Sequence, residues 1–246
     1  MVESSNRKQK DKEFNDKKYS EHSAGRVERL SKYYGVIDGS IEFYRRCLSR
    51  GKSRNVLDYG CGQGLWSFYL AGIGASVTGI DGSNVAIEQA QKTLDFSVMD
   101  CENMTFDEDT FDFICGTAIL HHLNLEKALS EIVRTLKPDG TAVFLEPLGH
   151  NPMINLYRRL TPSLRVEDEH PLRTEDIRIA ERYFEVVDTQ YFELLALLAV
   201  PLRRFRIFRS VLTILKTADK VLFRLFPFMG RYAWHVVITL SHPRQP

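Results

Sequence analysis

The run Asn55-Val56-Leu57-Asp58-Tyr59 passes directly into glycines at every second position, Gly60, Gly62 and Gly64. Its β-branched and apolar start suits a buried parallel strand, and alternate glycines let the backbone turn sharply and press close to a ligand. The next strand-like segment, Ala75 to Ile80, ends in Asp81. An acid about 20 residues beyond a glycine loop can accept hydrogen bonds from both hydroxyls of a ribose. Together these residues predict a strand, a tight loop and a helix that hold the nucleoside of a cofactor. A side chain at any of the three glycines is expected to stand where that cofactor lies.

The glycine spacing separates the kinds of cofactor. A dinucleotide site reads G-x-G-x-x-G and places a pyrophosphate at a helix N-terminus. Here the spacing is G-x-G-x-G and the loop follows Asp58. A carboxylate in that place repels a pyrophosphate but suits a ligand carrying an ammonium and a sulfonium, which disfavours the alternative of a nicotinamide-dependent oxidoreductase.

At this point the chain resembles the class I S-adenosylmethionine-dependent methyltransferases, and the resemblance continues in order over roughly residues 50 to 150. Asp100-Cys101 follows the strand-like Phe96 to Met99, where that family reads the adenine edge. Phe111 to Gly116 is similar to the family's fourth strand and leads on to Thr117 and His121-His122. Ile132 to Gly140 is similar to the helix end and turn before the fifth strand, with Asp139 where a second glycine is common. The resemblance implies S-adenosylmethionine as cofactor, held by Asp58, Tyr59, Gly60, Cys61, Gly62, Gly64, Asp81, Gly82, Asp100, Cys101, Gly116 and Thr117. It also implies a Rossmann-like, doubly wound α/β fold. Its sheet is mostly parallel and seven-stranded, with an antiparallel last strand and helical cap insertions.

The rest of the chain is consistent with that reading. At 246 residues and 43% hydrophobic, it can bury one full core. Residues 1–24 read as a flexible charged segment, and 25–246 as one domain with cap insertions at about 147–175 and 195–230. The longest apolar stretch, Leu194 to Val200, is far shorter than the roughly 20 residues of a spanning helix. The charged N-terminus lacks the apolar core of an export signal, so a cytoplasmic protein is expected. Four cysteines, Cys47, Cys61, Cys101 and Cys115, lack paired spacing and read as reduced thiols, with no metal site. Helices are expected over Arg26 to Leu48, broken near Gly35 and Gly39, over Leu65 to Ala71, and over Asn84 to Thr93 behind a Ser83 cap. Another is expected behind an Asn124 cap. Strands are expected at Thr141 to Leu145, Phe184 to Val187 and Trp234 to Leu240.

Methyl transfer to a hydroxyl needs alignment and a proton acceptor. His121 and His122, just past the fourth strand, are the candidate bases, with His121 preferred. Adjacent histidines are expected to face different ways, which argues against a shared metal. The resemblance places Tyr33 on a helix that closes over the cofactor. Prolines at Pro147, Pro152, Pro162 and Pro171 predict loops and a short helix over the active-site mouth. There Glu146, His150, Asn151, Arg159, Glu169 and His170 are the candidate substrate contacts.

Charge is uneven: residues 201–246 carry nine cations against one acid, while residues 21–200 carry 18 against 27. Phe208, Val211, Leu212, Leu215, Leu222, Leu225 and Phe226 fall near one helical stripe, opposite Arg209, Thr213, Lys216, Lys220 and Arg224. Such a helix either packs as a cap or lies on an anionic membrane surface through 203–226. Nucleic acid is not expected, because no aromatic groups interleave the basic stripe. The sequence therefore predicts methyl transfer to a small organic or lipid-linked acceptor, at oxygen or carbon before nitrogen. A non-enzymatic surface-binding protein on the same fold is the remaining alternative. Nothing in the sequence sets an oligomeric state.

Overall fold

A computed structural model of the chain describes residues 24–90, 93–160 and 171–244, with side chains from residue 35 onward. The elements run α1 (Ala24–Leu48), β1 (Asn55–Tyr59), α2 (Leu65–Gly72), β2 (Ser76–Asp81), α3 (Asn84–Gln89), β3 (Asp95–Val98) and β4 (Phe111–Thr117). They continue with α4 (Leu125–Thr135), β5 (Leu136–Pro147), α5 (Pro152–Leu160), α6 (Thr174–Ile179), β6 (Phe184–Phe192), α7 (Phe208–Leu225) and β7 (His235–Pro243). The strands form one seven-stranded sheet in the order β3-β2-β1-β4-β5-β7-β6. Every pairing from β3 to β5 is parallel, and β7 runs antiparallel to both β5 and β6. The expected mixed sheet with an antiparallel last strand is therefore present. The strand order reverses between β1 and β4, the crevice in which open α/β sheets bind ligands.

Alternation along the strands sends side chains to two cores. Val56, Phe113, Cys115 and Val143 pack on one face beneath Tyr44, Cys47 and Leu48 of α1 and Leu70 of α2. Leu57, Tyr59 and Ile114 pack on the other beneath Ala128, Leu129, Ile132 and Val133 of α4. Ser83 Oγ accepts from Ala86 N at 3.1 Å and Asn124 Oδ1 from Lys127 N at 3.1 Å, so both expected caps form.

Several boundaries differ from expectation, among them β5 and β7, which run longer than their expected Thr141 to Leu145 and Trp234 to Leu240. α1 runs unbroken through Gly35 and Gly39. The buried residues Val36, Ser40, Tyr44 and Leu48 recur every four positions and fix that face, which outweighs the roughly 1 kcal/mol that a helical glycine costs. α3 ends at Gln89, because Ala90 is already extended. β6 continues to Phe192, since antiparallel pairing with β7 runs all the way to His235.

The second insertion comprises a 3₁₀ segment (Leu195–Leu202), α7 and a 3₁₀ segment (Pro227–Tyr232). Phe208, Val211, Leu212 and Leu215 pack inward against Val36, Ala196, Leu197 and Ala199. Leu222 packs on the larger core, whereas Leu225 and Phe226 stay exposed. Most of the stripe that a membrane reading would have used thus belongs to the domain interior. Asp219 of α7 accepts from Leu194, Leu195 and Ala196 N at 3.2, 2.7 and 3.1 Å and caps the 3₁₀ segment. Burial raises its pKa against the opposing pull of those three amides. Among the described residues no helix is long and apolar enough to cross a membrane.

Asp219→Ala should cost about 2–3 kcal/mol by leaving the amides at that helix start without their acceptor, lowering Tm by roughly 4–12 °C for a chain of this size. Scanning calorimetry checks it, and an unchanged Tm would show that the cap contributes nothing.

Candidate functional site

The glycine loop leaves β1 at the switch point. Gly60, Gly62 and Gly64 have φ of 74°, 53° and 82°, the left-handed region that glycine enters without penalty. Packing within the protein also demands two of them. A Cβ at Gly60 would lie 2.5 Å from Ile119 Cγ1, and one at Gly64 would lie 2.7 Å from Phe96 Cζ. The wall against these glycines is protein side chain, where the sequence suggested only a ligand. Nothing lies within 4 Å of a Cβ built at Gly82, so the space beside Asp81 is open.

Asp81 closes the loop. Its Oδ2 accepts from Gly62 N at 2.9 Å and its Oδ1 from Ser83 N at 2.8 Å, while Gly60 N and Cys61 N donate to Ile80 O at 2.9 and 2.8 Å. The acid at the end of β2 thus braces the turn as well as facing the open space. Asp58 lies on the α1 and α2 side of the sheet, buried, and accepts from Ser67 Oγ at 2.5 Å. Burial raises its pKa to about 6; the Ser67 hydrogen bonds pull it down and the Asp81 charge adds a smaller upward push. Ser67 was not foreseen, although a lone buried polar residue in Leu65-Trp66-Ser67-Phe68-Tyr69-Leu70 is a readable signal.

The loop after β3 is tied to β1 by Tyr59, whose buried hydroxyl donates to Cys101 O at 2.6 Å. Asp100 is exposed and accepts from Glu102 N at 2.9 Å. Gly116 O accepts from Tyr44 Oη at 3.0 Å beside Thr117, and a Cβ at Gly116 would lie 2.7 Å from Tyr59 O. Burial pushes the Cys61, Cys101 and Cys115 thiols upward, so they stay protonated, and all four cysteines are unpaired.

Beyond β4 the chain kinks. Ala118 has φ 52°, a conformation that non-glycine residues adopt only when their surroundings impose it, and its N donates to Leu145 O at 2.9 Å. The kink leads into a 3₁₀ turn, Leu120–His122, where Glu146 of β5 gathers three partners. Its Oε1 accepts from Ile119 N and Leu120 N, each at 2.9 Å, and its Oε2 lies 2.7 Å from His121 Nδ1. Glu146 is wholly buried and His121 is 5% exposed. The carboxylate expected to face a substrate therefore holds the histidine expected to act as base. The two histidine rings lie 4.1 Å apart at 38°, so they stack on one side of the turn, against the expectation that they diverge. Among the described residues no cluster of three or more His, Cys, Asp or Glu could hold a metal ion.

Among the described residues, the proline-rich cap uses its polar groups in its own packing. Asn151 is buried; its Nδ2 donates to Tyr232 O at 2.8 Å and its Oδ1 accepts from Ile154 N at 3.0 Å, so it caps α5 and pins the second insertion. His150 Nε2 lies 3.7 Å from Glu175 Oε2. Arg159 is exposed on α5. Glu169 and His170 fall outside the described residues, and Tyr33 lies on α1 with its side chain outside them.

Residues 57–144 match the sequence profile of a methyltransferase domain. Over 114 residues the chain is 34% identical to a ubiquinone biosynthesis O-methyltransferase of Coxiella burnetii, covering 43% of this chain and 48% of that protein. Over 153 residues it is 28% identical to phthiotriol/phenolphthiotriol dimycocerosates methyltransferase 1 of Mycobacterium ulcerans, covering 58% and 56%. The chain thus spans about half the length of the curated relatives it matches. A solved S-adenosylmethionine-dependent methyltransferase from Archaeoglobus fulgidus shares the fold, with a TM-score of 0.57 at 17% identity over 82% of this chain and 94% of that one. Residues 57–144 thus carry the profile of a methyltransferase domain, on a seven-stranded sheet of the kind found in the Archaeoglobus fulgidus S-adenosylmethionine-dependent methyltransferase.

Proposed function

We propose that the chain methylates a hydroxyl of a small organic or lipid-linked acceptor, with His121 as general base and Glu146 as the residue that positions it. The observation that carries this reading is the buried Glu146–His121 pair directly beyond β4. The relatives support an oxygen acceptor, one being an O-methyltransferase of ubiquinone biosynthesis.

The residues fit S-adenosylmethionine. Open space lies beside Gly82 at the end of β2, next to a carboxylate held in place by two backbone amides. In this reading Asp81 takes the ribose hydroxyls, and Asp58 supplies the negative charge opposite the cationic end. Asp100 and the Cys101 backbone take the adenine edge. The loop residues Tyr59, Gly60, Cys61, Gly62 and Gly64 give the site its shape, and Gly116 and Thr117 form its floor at the end of β4. When bound, the cofactor supplies an electrophilic methyl on a sulfonium that leaves as a neutral thioether.

The chain's own contribution is proton transfer and alignment. With Nδ1–H donated to Glu146, the histidine holds the tautomer whose Nε2 can accept a proton. His121 Nε2 would accept the proton that the acceptor hydroxyl gives up. The imidazolium that results is stabilised by the adjoining carboxylate, the role that a buried acid plays beside a histidine base. The kinked Ala118 turn fixes the imidazole relative to the sheet. His150, Asn151, Arg159, Glu169, His170 and Tyr33 remain the substrate-side proposals, with Asn151 acting by holding the cap.

Two tests follow. Glu146→Gln keeps the volume but turns an amide N–H toward His121 Nδ1, forcing the opposite tautomer. With a panel of phenols bearing or lacking a prenyl chain, kcat should fall roughly 10²- to 10⁴-fold for both His121→Ala and Glu146→Gln, with little change in S-adenosylmethionine affinity. Formation of S-adenosylhomocysteine measures it, and near-normal turnover in either variant would remove the base from the mechanism.

The second test concerns pH. The raised Asp58 pKa means that the free site holds a growing fraction of neutral acid as pH drops through about 6. A cationic ligand favours the carboxylate, so binding releases a proton and affinity should rise with pH across that range, by up to about tenfold per unit below the pKa. Calorimetric titrations from acid to neutral pH should show that slope in the native chain and lose it in Asp58→Asn. A flat profile in the native chain would mean that Asp58 does not sense the ligand.

A further inference from the structure

The inward side of α7 is accounted for by packing and by the Asp219 cap, but its outward side is not. Of the thirteen large hydrophobic residues exposed among the described residues, seven fall between 205 and 228. Ile207, Ile214, Val221 and Leu225, spaced by seven, seven and four residues, form one line along the helix. Phe226 and Phe228 carry that line past the helix end, their rings 6.1 Å apart. This line is distinct from the stripe that packs inward, and it is 52–66% exposed along its length. A dispersed surface tolerates single exposed apolar residues, whereas a continuous line marks a contact surface.

The strip beside that line is cationic. Arg209, Lys220 and Arg224 are exposed there, and Lys220 and Arg224 also line a groove of about 1060 Å³ between α1, α7 and the outer edge of β6. Of the four acids that line the groove, Asp38 and Glu42 are paired with Lys216 and Arg45, Glu193 is buried against His235 and the Ser40 amide, and Asp219 is the buried cap described above. The sole acid in residues 201–246 is Asp219, buried and committed to three backbone amides. No carboxylate of that segment neutralises its exposed cations.

We infer that the outward face of α7 and the 226–228 corner dock on a bilayer surface rich in anionic phospholipid. The apolar line enters the boundary between headgroups and acyl chains, and lipid phosphates meet Arg209, Lys220 and Arg224 at the groove mouth. The charge pattern argues against a second copy of this chain as the occupant, because a self-complementary contact would bring the same cations face to face.

The test uses the full chain and vesicles of phosphatidylcholine with and without phosphatidylglycerol. The protein should co-sediment with the phosphatidylglycerol vesicles at low salt, weakly with phosphatidylcholine alone, and less as salt screens the charges. Val221→Ser/Leu225→Ser/Phe228→Ser should weaken binding roughly tenfold or more by removing apolar insertion. Lys220→Glu/Arg224→Glu should do the same, since each cation near such a surface is worth roughly fivefold. Melting temperature and S-adenosylmethionine binding should be unchanged in both variants, because these side chains lie on the surface and away from the glycine loop. Absence of binding, equal binding to both vesicle types, native binding by either variant, or a dimer in solution that the apolar variant dissolves would each overturn the inference.

Discussion

The structure of the site depends on one buried carboxylate. Glu146 has no exposed surface, and its two oxygens meet three partners: two consecutive backbone amides, which donate, and an imidazole nitrogen. A carboxyl group in such a place is tolerable only when its hydrogen bonds are complete. Removing its partners would cost several kcal/mol, so the chain after β4 is held where those partners can reach. That demand explains the Ala118 kink, a backbone state costing roughly 1–2 kcal/mol for a residue with a Cβ. The strain turns the peptide planes of Ile119 and Leu120 toward Glu146 and brings His121 onto the same carboxylate.

Ile119 connects this pair to the glycine loop. Its amide donates to Glu146, while its side chain fills the space that a Cβ at Gly60 or Gly116 would occupy. The glycine loop and the histidine turn are therefore one packed unit, and the glycines answer to a protein neighbour as well as to a ligand. On the other side Asp81 ties Gly62 to the end of β2, and Tyr59 ties β1 to Cys101. Three strands and the loops beyond them thus close around the switch point through a few directional contacts, the kind of support that keeps a site in productive geometry. A shift at Ile119 would reach both the loop and His121.

The glycine loop, both acids and the mostly parallel α/β sheet were legible in the sequence because each has a local signature: alternate glycines, an acid at a strand end, and strands alternating with helices. The Ser83 and Asn124 caps were legible for the same reason. The role of Glu146 was not, because its partners are 25 to 27 residues away and only the β4–β5 pairing brings them together. A proline-flanked acid at a strand end reads equally well as a substrate contact. The stacking of His121 on His122 was hidden similarly, since a 3₁₀ turn after a left-handed residue does not obey the divergence that a regular helix would give. Asn151, read as a substrate contact, is used in capping α5, a choice made by Tyr232 some 81 residues further on.

The C-terminal helix shows how far periodicity can decide. Both the stripe through Phe208, Leu212 and Leu215 and the line through Ile207, Ile214 and Val221 satisfy helical spacing, so pattern alone cannot say which faces inward. Tertiary partners decide it. Asp219 must reach the amides of Leu194 to Ala196, and Phe208 must lie against α1, where a Cβ at Gly35 would be 3.5 Å from its ring. Those two contacts fix the rotation of α7 and turn the Ile207 line outward beside the cations. Burying that line instead would draw Asp219 away from its amides and leave the start of the 3₁₀ segment uncapped. The exposed apolar line is thus a consequence of the way the helix is anchored, and its exposure persists for as long as the anchor holds.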